Sequence, residues 1–528
     1  MTTSIQMSTD TLFEWSAAQI VERIAAGEIS ASEVTEAYLR RIEEVNPLIN
    51  AIVVPMFEQA RADAAAVDAA RNRGEALGPL AGLPITVKES FHMAGTPTTV
   101  GLTARASHRA PADAFHVARM RAAGAVVLGK TNVPQLVMSN DSQNPLYGRT
   151  KNPWNPARSA GGSSGGEAAA IAAGCSPLGI GSDIGGSVRL PANACGICAL
   201  KPTSGRLTMA GHLDIAPGQE AILAQPGPMA RYVSDLDLAF RFLCTPEQCS
   251  VDPTIPPLPP SADPTLAPTK LRVAMYTDNG VITPAPAVAR AVREAAAALR
   301  ERGLEVEEWQ PPDVPEAFEL WLGLLMADGS TALRHLCTGS KVDASLRMTF
   351  AAGRVPHGLL GAVVAPLLGL FGQHHTANAV RSIGRRSARD YLRLIKRRTQ
   401  YRTKFLTALV RGRFDAILCP VDALPAMIPG RSEDLIHALS YSATYNLLGM
   451  PAGAVAATRV RTGEESNRPA SRDTVERAAR ETERGSAGLP VGVQVVAKHW
   501  REDVVLSLMG LLEEHFSKLP DYPTRPQI

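Results

Sequence analysis

Apolar residues along this chain follow two rhythms. Between residues 16 and 47 they recur at helical spacing, which predicts two helices, the second opened by a capping box at Ser30-Ala31-Ser32-Glu33. Beyond residue 80, short β-prone runs alternate with Ala-rich ones. Residues 83–87 predict a buried strand with Lys88 at its end, 125–128 a second strand, and 167–173 a helix. A strand restarts at 271–276, and 285–302 predicts a strong Ala-rich helix. Two late apolar runs, 452–457 and 489–497, read as paired strands. This alternation predicts an α/β chain whose mixed sheet lies between helices.

Three segments break the rhythm. Residues 252–269 are Pro-rich and read as an extended connector. Residues 459–487 are highly charged with Gly, Ser and Pro at their ends, which predicts a mobile insertion with a helical centre near 474–484. Residues 358–372, inside an apolar insertion at about 356–375, carry almost no polar break. That run is shorter than the ~20 residues a membrane-spanning helix needs. Arg and Lys are dense from 381 to 404. An apolar hairpin beside basic residues fits peripheral membrane contact or the lining of an acyl channel; a buried core helix or a homodimer contact fits it as well.

Composition narrows the class. The chain has 528 residues, 45% hydrophobic and 20% charged, as expected of a soluble globular protein. A formal charge of +3 and 5% aromatic residues give no footing for a nucleic-acid partner. The N-terminal MTTSIQMSTDTLFEW lacks a basic and then apolar leader, so a cytoplasmic, reducing setting is expected. Seven scattered cysteines fit that setting better than a disulfide framework. Cys195 and Cys198 form one Cys-x-x-Cys without a second pair, and His374-His375 stands alone, so no metal and no cofactor are expected.

The chemistry is concentrated in Gly161-Gly162-Ser163-Ser164-Gly165-Gly166-Glu167 and in Gly181-Ser182-Asp183-Ile184-Gly185-Gly186-Ser187-Val188-Arg189. Each holds a serine hydroxyl among glycines, where backbone can approach a ligand closely. The nearest histidines in sequence, His116 and His212, lie well outside both stretches, so the base is expected to be Lys88. A lysine ending a buried strand is desolvated, which lowers its pKa towards that of a workable general base; an ordinary solvated lysine ending a strand is the bland alternative. Gly161 to Gly165 also matches a G-x-S-x-G nucleophile elbow, but the preceding Asn152-Pro153-Trp154-Asn155-Pro156 cannot form the central strand that motif requires. A phosphate cradle is disfavoured because the loop ends in Glu167.

These stretches resemble the amidase signature family, and the likeness runs almost continuously from Asn144 to Leu207 and returns at 445–451 and 488–494. Lys88 precedes Ser163 by 75 positions and Ser187 follows by 24, the spacing usual in that family. The resemblance implies one large domain, a mixed twisted sheet covered by helices on both faces, with its catalytic core at about 80–230. It implies a Ser–cis-Ser–Lys unit: Ser187 as nucleophile, Ser163 after a cis peptide as relay, Lys88 as base. Backbone N–H groups of Ile184, Gly185, Gly186 and Ser187 would form the oxyanion hole, with Ser164, Asp183 and Arg189 in support. Within the family the sequence looks most like the fatty acid amide hydrolase branch, which places Val137 and Ser139 at the acyl pocket. The expected activity is hydrolysis of small-molecule amides with a lipophilic acyl or aryl group. The alternatives are the glutamine-hydrolysing component of a tRNA-dependent amidotransferase and a non-catalytic nucleotide-binding or scaffold protein.

Overall fold

The computed structural model describes residues 12–260 and 267–528. The extreme N-terminal residues 1–11 and residues 261–266 of the Pro-rich connector lie outside them. Helices Ala17–Ala25 and Ala31–Ile49 begin at capping boxes built on Ser16 with Gln19 and on Ser30 with Glu33. In the second, Ser30 Oγ accepts the Glu33 N–H at 3.0 Å and the Glu33 carboxylate accepts the Ser30 N–H at 2.8 Å. Two otherwise unpaired donors of the helix end are thereby satisfied.

Thirteen strands are present among the described residues: β1 Ile52–Pro55, β2 Pro84–Lys88, β3 Val126–Thr131, β4 Gln143–Asn144, β5 Gly148–Arg149, β6 Leu178–Asp183, β7 Cys198–Lys201, β8 Gln225–Ala230, β9 Arg272–Met275, β10 Glu305–Glu308, β11 Ala416–Pro420, β12 Ala452–Arg459 and β13 Pro490–Ala497. Eleven form one mixed sheet in the order β1-β3-β2-β6-β8-β7-β12-β13-β11-β9-β10, while β4 and β5 pair separately. Successive residues of one strand enter opposite cores. Val273 and Met275 join one apolar cluster and Ala274 the other; Ala416 and Leu418 part in the same way from Ile417 and Cys419. The sheet is therefore buried on both sides, which explains why its strands read as nearly continuous apolar runs. Pro286–Glu301 and Glu502–Phe516 pack in the first core, and Val314–Leu325, Ala388–Arg411 and Ser440–Leu448 in the second.

The late strands pair as their sequence predicts, β12 antiparallel to β13. The charged segment between them docks onto the protein where a mobile insertion was expected. Its helix Thr474–Glu483 buries Val475, Ala478 and Ala479 in the second core. Arg468, also buried, donates to Glu476 at 2.6 Å and to Glu483 at 2.8 Å. Charge density signalled solvent there, but much of that charge is paired within the fold. The apolar run also departs from one of its readings. Residues 357–370 form short helical turns with Leu359, Val363 and Leu367 exposed, and Leu370 and Phe371 are 80% and 71% exposed. It is not a buried core helix.

The site is set by β2 and β6, which run parallel with Val87 opposite Ile180. Their C-terminal ends, Lys88 and Ser182-Asp183, therefore emerge side by side. Crevices beyond the carboxyl ends of parallel strands are where α/β sheets commonly bind ligands.

Candidate active site

Lys88 is fully buried at the end of β2. Its Nζ lies 2.8 Å from Ser163 Oγ, 3.0 Å from Ser182 Oγ and 3.3 Å from the Ser182 carbonyl. No carboxylate accepts a hydrogen bond from it among the described residues. Burial pushes its pKa down to about 7, although the Asp183 and Glu167 carboxylates pull in the opposite direction. Glu167 is itself buried beneath the lysine, held by the hydroxyls of Thr86 and Thr131, and burial raises its pKa.

Ser163 follows a cis peptide from Gly162 and is 3% exposed. The Gly162 N–H donates to Asn140 Oδ1 at 3.0 Å, and the Ser164 N–H donates to the Ser187 carbonyl at 3.1 Å. That second bond ties the two serine loops together. Ser163 and Ser187 line one cavity of about 460 Å³, and the Ser187 hydroxyl has no hydrogen-bond partner among the described residues. Ser164 Oγ donates to the Ser182 carbonyl at 3.5 Å, so Ser164 supports the backbone over Lys88.

Asp183 shapes the loop that carries Ser187. Its carboxylate accepts the N–H groups of Gly186 at 2.8 Å and Val188 at 3.2 Å, and it pairs with Arg189 at 3.0 Å. Arg189 also donates to Gln494 Oε1 and Asn446 Oδ1, both at 2.6 Å, and to the Ser442 carbonyl at 3.1 Å. Burial would raise the Asp183 pKa, but the Arg189 guanidinium, with Lys201 and the Asn446 amide, holds it well below the usual carboxylate range. The pair is wholly buried and its hydrogen bonds are met, the condition under which buried charge is tolerated.

Gly186 adopts φ +124°, a conformation that side-chain-bearing residues rarely reach. Its N–H is taken by Asp183, so three of the four expected oxyanion donors, the N–H groups of Ile184, Gly185 and Ser187, have no acceptor among the described residues. A Cβ on Gly185 would meet Trp321 Cζ2 at 2.5 Å. Trp321 in turn donates its indole N–H to the Ile184 carbonyl at 3.0 Å, which fixes the loop from the far side.

A second cavity, about 100 Å³, also borders Ser187. Ile184, Leu190, Trp321, Leu322, Met326 and Leu439 give it an apolar wall. Val137 and Ser139 both line it, and Val137 also reaches the larger cavity. Val137 has φ +49°, an uncommon conformation for a β-branched residue. The carboxylate on this wall, Glu433, has its Oε1 engaged by the Thr349 N–H and hydroxyl.

Several participants carry no signal of their role in the sequence. Ser182 stands inside a motif whose chemistry points to Ser187. Trp321, Asn446 and Gln494 come from distant elements that only the fold brings to the loop. His212 is remote along the chain, yet its Nε2 lies 3.0 Å from Ser182 Oγ.

The family model described as Amidase matches residues 33–506. Fatty-acid amide hydrolase 1 of Sus scrofa is 35% identical over 505 residues, covering 94% of this chain and 84% of that protein. Fatty acid amide hydrolase 1 of Caenorhabditis elegans is 30% identical over 509 residues, 94% and 87% of the two chains. Among solved structures, a fatty acid amide hydrolase superposes with TM-score 0.85 at 27% identity, over 96% of this chain and 86% of that one.

Proposed function

The chain belongs to the amidase signature family and is an amide-hydrolysing enzyme; from that premise we propose that Ser187 is its nucleophile and Lys88, acting through Ser163, its base. The observation that carries the reading is the Lys88 amine, buried without a carboxylate partner among the described residues, 2.8 Å from Ser163 Oγ. A lysine whose pKa is lowered to about 7 is neutral in half its copies at that pH, which suits a general base. As Ser187 Oγ bonds to the acyl carbon, its proton passes to Ser163 Oγ while the Ser163 proton passes to Lys88. The carbonyl oxygen becomes an oxyanion facing the free N–H groups of the nucleophile loop. Collapse breaks the C–N bond, and the relay returns the proton to the departing amine. Water then releases the acid from Ser187 through the same base.

In this reading the two cavities serve the two sides of the scissile bond. The amine must receive its proton from Ser163, so it leaves into the larger cavity, which Ser163 and Ser182 line. The acyl group then occupies the apolar cavity walled by Ile184, Leu190 and Trp321. We read the substrate as an amide of a lipophilic acyl or aryl acid. An apolar wall whose one carboxylate is already engaged by Thr349 suits glutamine poorly.

The test is labelling with a fluorophosphonate, followed by turnover of aryl and acyl amides. Ser187 should carry the label, and Ser187→Ala should abolish both labelling and turnover. Turnover that survives in Ser187→Ala would discard the assignment.

No helix among the described residues is long and apolar enough to cross a membrane. The exposed side chains of Leu359, Val363, Leu367, Leu370 and Phe371 form an apolar patch on the surface. With the basic segment that follows, they suit peripheral attachment to an anionic bilayer. Co-flotation with anionic vesicles should be lost in Leu370→Asp/Phe371→Asp while hydrolysis of a soluble amide is unchanged. Flotation that persists in that variant would refute the attachment.

A further inference from the structure

Lys88 has two near acceptors besides Ser163, both on Ser182. When neutral, the amine has two N–H donors and one lone pair. If the donors go to the Ser182 carbonyl and the Ser182 hydroxyl oxygen, the lone pair is left facing the Ser163 hydroxyl. The Ser182 hydroxyl decides between this arrangement and a competing one, because it can also donate to the lysine lone pair. His212 settles its direction. The imidazole Nδ1 lies 2.9 Å from the Leu213 carbonyl, which can only accept, so Nδ1 carries the proton. Burial, with the charge of Lys88, lowers the imidazole pKa and keeps the ring neutral. Nε2 is therefore an acceptor, 3.0 Å from Ser182 Oγ. The edge of Phe91, with ring centroids 4.8 Å apart, holds the ring in place.

We propose that His212 is a positioning residue of the proton relay: by accepting the Ser182 hydroxyl hydrogen at Nε2, it leaves the Ser182 oxygen to accept from Lys88 and turns the lysine lone pair onto Ser163. The inference rests on the reading of Lys88 and Ser163 as base and relay. The charged or titratable groups that face this network are Asp183 and Glu167, towards Lys88, and His92, towards His212. None of them offers the Ser182 hydroxyl another acceptor.

Replacing His212 by Phe removes the acceptor and frees the Ser182 hydroxyl to cap the lysine lone pair. Capping stabilises the neutral amine in an unproductive orientation. Two effects follow together: the plateau rate falls by about tenfold, the weight of one hydrogen bond, and the acid limb moves to lower pH. Gln at 212 carries a side-chain oxygen that reaches near the Nε2 position and restores both. If the effect runs through Ser182, removing that hydroxyl removes it too, so His212→Phe should cost nothing further in a Ser182→Ala background.

The experiment measures the maximal rate at which a fluorophosphonate phosphonylates Ser187 from pH 5 to pH 9. The Ser187 oxygen bonds to phosphorus, fluoride leaves, and the serine proton passes to the relay, so no knowledge of the natural amide is needed. Wild type, His212→Phe, His212→Gln, Ser182→Ala and the Ser182→Ala/His212→Phe double variant are compared. His212→Met repeats the test should the phenyl ring unfold the loop. The expected result is a slower, acid-shifted His212→Phe, recovery in His212→Gln, and no additional loss in the double variant. An unmoved plateau and midpoint in His212→Phe, or equal losses with and without the Ser182 hydroxyl, would overturn the role of His212. Wild type that labels at Ser187 with no acid limb would instead strike at the lysine reading itself.

Discussion

Replacing Lys88 by Met separates the chemistry of this lysine from its effect on the fold. The wild-type amine has an ordinary pKa of 10.5 in the unfolded chain and about 7 when folded. Between those values the unfolded chain binds one more proton, so stability from this group is lost as pH falls from 10.5 towards 7. The slope is about 1.4 kcal/mol per pH unit, and the accumulated cost levels off near 5 kcal/mol below pH 7. Met fills much of the same volume and does not titrate. Its absolute stability also reflects the partners lost by Ser163 and Ser182, at about 1–3 kcal/mol for each group left unsatisfied. The pH dependence is free of that term. Relative to wild type, Lys88→Met should lose about 3 kcal/mol of stability between pH 6 and pH 9, read from urea midpoints by tryptophan fluorescence. Over the same range its labelling rate at Ser187 should be about 10²–10⁴-fold lower and flat with pH. Wild type should instead fall about tenfold per pH unit below its midpoint near pH 7. A stability difference that does not change with pH would show that Lys88 does not titrate as a buried amine. A wild-type rate level down to pH 5 would deny that it is the base.

Two further changes probe the surroundings of Ser187. Asp183→Asn leaves the Arg189 guanidinium uncompensated in a fully buried site, so thermal unfolding should show a loss of about 3–5 kcal/mol; a melting temperature within a degree of wild type would refute the account of that pair. Trp321→Ala widens the apolar cavity and removes the donor on the Ile184 carbonyl. Across a series of anilides of increasing acyl size, kcat/KM should shift towards larger acids while kcat for the smallest falls by about threefold to tenfold, and an unchanged order of preference would move the acyl site elsewhere.

The parts of this enzyme that are legible in sequence share a physical origin. Lys88, Ser163 and Ser187 stand in contiguous glycine-rich or strand-ending motifs, where local backbone demands and chemistry coincide. The paired strands β12 and β13 are legible because both faces of the sheet are buried and leave an unbroken apolar run. What stays hidden depends on long-range packing. Arg189 reads as a supporting residue, but nothing near it in sequence names Asn446 and Gln494, which complete its hydrogen bonds from 257 and 305 positions away. Residues 459–487 read as mobile because their charges are unpaired in one dimension; Arg468 finds Glu476 and Glu483 only once the helix Thr474–Glu483 has formed.

His212 shows the same limit at the site itself. Its distance along the chain from both serine motifs argues that the base must be a lysine, and the lysine does lie against Ser163. The distance does not exclude the histidine from the network, because a loop returning beside β6 brings its ring to Ser182. A residue that touches neither substrate nor nucleophile leaves no motif of its own. Its signature is the direction of a hydrogen bond, which requires knowing that the Leu213 carbonyl has already claimed the Nδ1 proton. In the proposed relay the division of labour is physical: motifs supply the groups that would exchange protons, and tertiary contacts decide which way each proton points.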